Sequence, residues 1–120
     1  MSTNREIKKE YKQTLPEMGI YCIKNLKSGK IFIGVSKELR GKLNSIRFQL
    51  NHGSFVNSGL QEDYKSSGEN NFSFEILDTL EPKENPGYDY SRDLKELEKL
   101  WLEKLQPYDN KGYNKRTINK

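Results

Sequence analysis

One carboxylate stands where a carboxylate is expensive. On a helical wheel drawn between Ser91 and Pro107, Leu94, Leu97, Trp101 and Leu105 centre an apolar stripe, with Leu102 on its edge. Lys95, Glu96, Lys99 and Glu103 take the outer face, but Glu98 falls inside the apolar arc, between Leu94 and Leu102. A buried carboxylate without a partner favours its protonated form. Glu98 is therefore expected to meet a cation, either a basic side chain or a metal ion, or to reach the edge of the stripe and water.

The second candidate is a phenol. Tyr21 sits in a run of aromatic and β-branched residues, 18–25, that reads as a strand. Lys27-Ser28-Gly29 reads as a turn, and 30–36 as a returning strand with Ile31, Ile33 and Val35 on one face. An even loop sets Tyr21 opposite Gly34 and Ile23 opposite Phe32. Tyr21 and Phe32 then share a sheet face as diagonal neighbours. A three-residue loop would put them on opposite faces.

Cations gather just beyond this hairpin. Between Lys37 and Arg47 there are four basic residues and one acid. A helix capped by Ser36 and running to about Asn51 has Leu39, Leu43, Ile46 and Leu50 as its buried stripe. Arg40 and Arg47 flank that stripe on one side, Lys42 and Gln49 on the other. Gly53 ends the helix as a left-handed cap. His52, the one histidine, lies at this helix end, where it either caps the helix or supplies a proton. Phe48 points away from the stripe, and with Tyr64 it is a candidate self-association patch.

The remaining elements follow from local signals. Ser58-Gly59-Leu60-Gln61 has the capping-box pattern and predicts a short helix to Ser67, closed by Gly68. Residues 72–77 form a third strand with Phe72, Phe74 and Ile76 inward. Residues 81–90, with two prolines, form a loop, and Ser91 caps the last helix. The expected division is a charged leader over 1–16, one domain over 17–115 and a basic tail over 116–120.

Composition sets outer limits. The chain has 120 residues, 32% hydrophobic and 32% charged, so its core is small. Its net charge of +4 favours an anionic partner. Cys22 is the single cysteine, which excludes an intrachain disulfide and a cysteine zinc cluster. No apolar run approaches the roughly 20 residues of a membrane helix, and 1–13 carry no signal-peptide stretch. A cytoplasmic protein without membrane association is expected.

Taken together, several segments resemble one family. Gly19-Ile20-Tyr21, ten residues, then Phe32-Ile33-Gly34 resembles the signature of the GIY-YIG nuclease superfamily, with Phe replacing the second tyrosine. Leu60-Gln61 resembles the family's central helix, and Phe72-Ser73-Phe74-Glu75-Ile76-Leu77 its third strand. Leu97-Glu98-Lys99-Leu100-Trp101 resembles its metal-binding helix, and Gly112-Tyr113-Asn114 its closing Tyr-Asn. The resemblance runs from about 18 to 114 and is nearest to small stand-alone bacterial members.

It implies an α/β (α+β) fold, with a small three-stranded, mainly antiparallel sheet flanked by helices. It implies cleavage of DNA, ahead of RNA, with Mg²⁺ or Mn²⁺ held by Glu98. Tyr21 would be a general base or would orient the attacking water. Lys42 occupies the place of a charge-stabilising arginine, and Asn114 would orient groups near the phosphate or hold the fold. Three positions depart from the family pattern. Phe32 has no hydroxyl, Ile46 stands where a proton-relaying His or Tyr is usual, and Lys42 lacks the arginine fork. A lost phosphate-clamping donor typically costs ~10²–10³ in rate. Arg40 or Arg47 would then supply charge, and His52 a proton. Two alternatives to an active endonuclease are a lapsed nuclease that only binds nucleic acid, and a binder of small phosphorylated ligands in the old cleft.

Overall fold

The computed structural model describes residues 15–116. The ends of the leader and tail, 1–14 and 117–120, lie outside the described residues. Among the described residues, three strands and three α-helices follow in the order β-β-α-α-β-α. They are β1 (Gly19–Asn25), β2 (Ile31–Ser36), α1 (Leu39–Asn51), α2 (Ser58–Ser67), β3 (Phe72–Thr79) and α3 (Ser91–Leu105). The sheet is antiparallel with order β2-β1-β3.

The hairpin takes the even register. Tyr21 pairs with Gly34 and Ile23 with Phe32. Asn25 fixes the turn, because its Oδ1 accepts the Lys27 and Ser28 N–H groups at 2.9 and 3.2 Å. On the other side β1 meets β3 with a register shift between Ile20 and Tyr21. Leu77 is the extra residue, so the side chains of β3 beyond it change face. Ile76, before the bulge and opposite Tyr21, keeps the face of Phe72 and Phe74 as expected, but on the edge strand it is 37% exposed.

One face of the sheet carries the main core. Tyr21, Ile23 and Phe72 pack there against Leu39, Ile46, Leu50, Leu60 and Tyr64 of α1 and α2. α3 packs across β1 and β2. Its Leu94 joins a smaller cluster with Met18 and Tyr90, against which Val35 packs. Among the described residues no helix is long and apolar enough to cross a membrane.

Helix starts differ from expectation by a residue or more, each for a local reason. α1 begins at Leu39, not after a Ser36 cap. Ser36 ends β2 and its Oγ accepts the Glu38 N–H at 3.0 Å, while the Glu17 carbonyl takes the Leu39 N–H at 2.9 Å. α2 is capped by Asn57, whose Oδ1 accepts from Leu60 N–H. Gln61 instead bridges outward, accepting from Phe55 N–H and donating to the Leu50 carbonyl. Ser91 is the first residue of α3, and its N–H goes to Asp89 Oδ1 at 3.0 Å. Gly53 does adopt the left-handed conformation after α1, with φ of 73°.

The C-terminal segment shields the outer rail of β2. Gly112 bridges Ile31 in parallel, and Tyr113 N–H donates to the Ile31 carbonyl at 2.9 Å. Asn114 then imitates a strand with its side chain. Its Oδ1 accepts the Ile33 N–H at 2.9 Å and its Nδ2 donates to the Ile33 carbonyl at 2.8 Å.

Tyr113 ties three elements together. Its hydroxyl donates to Asp63 Oδ2 at 2.7 Å and accepts from Asn25 Nδ2 at 3.0 Å, and its carbonyl accepts from Asn57 Nδ2 at 2.8 Å. Burial leads in pushing its phenol up to about 12. Tyr113→Phe strands Asp63 and the buried Asn25 amide, so a loss of about 1–3 kcal/mol is expected. The urea midpoint should fall, with the slope of the transition unchanged.

Candidate active site

Tyr21 is held by the strand across from it. A Cβ on Gly34 would lie 2.2 Å from the Tyr21 hydroxyl oxygen and 2.3 Å from its Cζ. Only a residue without a side chain lets the ring lie across β2. The phenol is 4% exposed. Burial, and after it the charge of Glu98, pushes its pKa up to about 12. Tyr21 thus keeps its proton at neutral pH and offers an O–H donor. The same coupling places its hydroxyl within the electrostatic reach of the α3 carboxylate.

Glu98 is half-buried on α3. Among the described residues it has neither an ion pair nor a hydrogen bond. The option of a structural ion pair is therefore not taken up there. Burial pushes its carboxyl above the usual carboxylate range, opposed by the charge of Lys95 one turn earlier. Glu98 opens onto a hollow of about 340 Å³ between the end of β2 and the start of α3. Val35 and Leu94 form apolar walls, and Lys37 and Lys95 bring cations. Glu98 and Lys95 also border a wider groove of about 720 Å³ along the flank of α3, which reaches Tyr108 and Arg116.

The donor set limits what metal could sit there. Among the described residues no three His, Cys, Asp or Glu side chains gather to hold an ion. A single unpartnered carboxylate suits a hard cation that keeps most of its waters and takes phosphate oxygens, as Mg²⁺ does. It does not suit zinc, which needs three or four protein ligands.

An ionised, half-buried Glu98 burdens the fold. Its folded pKa is raised, so its favourable contribution is complete below the unfolded value of about 4.3 and is lost as pH rises through the folded value. Glu98→Gln should therefore raise Tm at neutral pH by a few degrees, on the order expected for a small gain in stability. The gain should vanish near about pH 4, where the native carboxyl is protonated as well. Scanning fluorimetry at the two pH values reads this directly.

Other candidates lie elsewhere. Arg40 pairs with Glu17 at 3.1 Å, with its side chain 83% exposed. Lys42 is exposed and lines neither hollow. Arg47 lies 4.4 Å above the Phe74 ring, towards β3 at the far edge of the sheet from β2. His52 turns back on its own helix, with Nδ1 2.9 Å from the Phe48 carbonyl and its ring stacked on Phe48 at 4.1 Å. Asn114 has both side-chain groups engaged with Ile33. Tyr64 is buried and bonded to Asn51 at 2.5 Å, so it does not join Phe48 in an exposed patch.

The departures from the family pattern are built into the packing. Phe32 lies between the rings of Tyr21 and Phe55, at 6.3 and 5.8 Å. Ile46 is 1% exposed in the core. The hollow's cations, Lys37 and Lys95, were not singled out by the wheel. Lys95 counts there as an outer-face residue, and only the approach of α3 to β2 reveals that it borders the hollow.

Comparison with known proteins bears on this geometry. Two solved structures of the catalytic domain of the endonuclease I-TevI share the fold. One, described as that of a homing endonuclease, has a TM-score of 0.68 at 24% identity, covering 83% of this chain and 99% of that one. The other, an intron endonuclease domain with a glutamate-to-alanine substitution, has a TM-score of 0.66 at 25% identity, covering 82% and 92%. No curated protein matches the sequence. The profile of the GIY-YIG catalytic domain matches residues 17–114, most of the chain. With its first triplet on β1, its second on β2 and its glutamate on α3, the chain belongs to the GIY-YIG nuclease domain family.

Proposed function

We propose that the chain is a divalent-cation-dependent endonuclease that hydrolyses phosphodiester bonds in DNA. The observation that carries this reading is Glu98, a half-buried carboxylate without a protein partner among the described residues, in a hollow with two lysines and near the Tyr21 phenol. The endonuclease catalytic domains that share its fold and the family match add support.

A Mg²⁺ or Mn²⁺ ion on Glu98 would supply positive charge at the phosphate and its leaving oxygen. The residues of the chain do the rest. Tyr21, protonated at neutral pH, donates its O–H to orient the attacking water. Val35 and Leu94 give the hollow apolar walls that strengthen these interactions. Phe32 and Ile46 move no proton, so turnover is expected to be slow, with each missing group worth ~10²–10³ in rate. A nicking assay on supercoiled DNA with Mg²⁺ or Mn²⁺ tests the reading. Divalent-dependent nicking supports it, and its absence under both metals discards it.

The packing of Phe32 and Ile46 favours a second reading, a nuclease scaffold that binds nucleic acid without cutting it. It predicts salt-sensitive DNA binding with no turnover.

A further inference from the structure

We propose that Lys37 and Lys95 form the phosphate clamp of this cleft, in the place where the family resemblance puts Lys42. The inference rests on the nuclease reading and specifies how the site holds its substrate. Lys37 follows β2 directly, and Lys95 lies on α3, so the hollow has a cation on each wall. Lys95 precedes Glu98 by three residues, which puts both on one face of the helix. Its charge already acts on the Glu98 carboxyl. Lys42 lines neither the hollow nor the groove. Arg40 is paired with Glu17, and Arg47 lies against Phe74.

The surroundings suit a phosphodiester. Val35 and Leu94 offer an apolar surface for a sugar or base, and Lys37 and Lys95 line the same hollow. Nearby carboxylates do not lock the lysines away. Asp89 feels the charge of Lys37 but gives its Oδ1 to the Ser91 N–H. Among the described residues neither Lys37 nor Lys95 forms an ion pair within bonding distance. Two lysines without an ion pair and one unpaired carboxylate line the same hollow, a charge pattern that a metal and a phosphate together would complete. Lysine reaches as a point charge, so the clamp tolerates variation in phosphate geometry that an arginine fork would not.

The test separates the clamp from the chemistry. Binding of a short fluorescein-labelled DNA duplex is followed by anisotropy across a salt series, with Ca²⁺ in place of Mg²⁺. The slope of log affinity against log salt counts the phosphates neutralised. Lys37→Ala and Lys95→Ala should each lower that slope by about 0.9, and the double variant by about twice that. Lys42→Ala should lower it less than either, and Lys27→Ala, in the hairpin turn, serves as the control for lost charge. Circular dichroism checks that each variant is folded. Unchanged slopes in both clamp variants, a loss concentrated in Lys42→Ala, or no DNA binding by the wild type would overturn the proposal. Cleavage is scored separately with Mg²⁺. Slopes that fall as expected without nicking leave the clamp standing and discard the nuclease reading. Nicking at wild-type rate by Lys37→Ala and Lys95→Ala discards the clamp alone.

Discussion

Glu98→Ala is expected to lower divalent-dependent DNA nicking by at least ~10²-fold while leaving the protein folded. The size follows from the donor set. Among the described residues no second carboxylate, histidine or cysteine joins Glu98 in a metal-binding group, so no other side chain keeps the ion in place. The fold should survive, because Glu98 makes no hydrogen bond or ion pair among those residues and its ionised form is disfavoured by burial. The same burial sets a pH signature. Proton and metal compete for one carboxylate, so the concentration of Mg²⁺ giving half-maximal nicking should climb as pH falls through the raised pKa of Glu98. The climb should begin above the range of an ordinary glutamate. Wild-type rates from Glu98→Ala would remove this residue from the chemistry.

Gly34→Ala is expected to cost about as much activity for a different reason. Its new methyl group would need the space that the Tyr21 hydroxyl and Cζ occupy, 2.2 and 2.3 Å away. Tyr21 is packed in the core with Leu39 and Ile46 and is not a free side-chain tip, so ring or strand must shift. A displacement near 1 Å at a positioned group can lower a rate by about 10²-fold. Overpacking of this kind typically destabilises by about 1–3 kcal/mol. A double variant isolates the phenol. If Gly34→Ala acts through the Tyr21 hydroxyl, then Tyr21→Phe alone already carries the loss, and adding Gly34→Ala removes little further activity. Additive losses would show that Gly34 matters to the rate by another route.

The parts of this fold legible in the sequence were those set by short-range rules. The Tyr21–Gly34 register followed from the parity of the hairpin loop, and the burial of Leu39, Ile46 and Leu50 from their helical spacing. The awkward position of Glu98 was legible because an α-helix fixes direction around its axis. Helix starts were not, because Ser36, Ser58 and Ser91 each had a competitor nearby. The Glu17 carbonyl, the Asn57 side chain and the Asp89 carboxylate took over work that local patterns assign to those serines. The exposure of Ile76 was not legible because it comes from the place of β3 at the sheet edge, which is set by pairing with a strand more than fifty residues away. The cations of the hollow escaped for a similar reason. Lys37 and Lys95 become neighbours only through the docking of α3 on β2, and a wheel sees one helix at a time. Arg47, within the basic helix, and His52, at its end, found aromatic company instead.

The side-chain imitation of a strand by Asn114 carries a consequence for handling the molecule. A recombinant version stopped short of residue 112 would bare the Ile31 and Ile33 amides and carbonyls. Such a bare edge recruits other polypeptides through backbone pairing. Shortened forms should therefore clump in solution, and the damage would spread inward, because Ile33 is the immediate neighbour of the glycine beneath the Tyr21 ring.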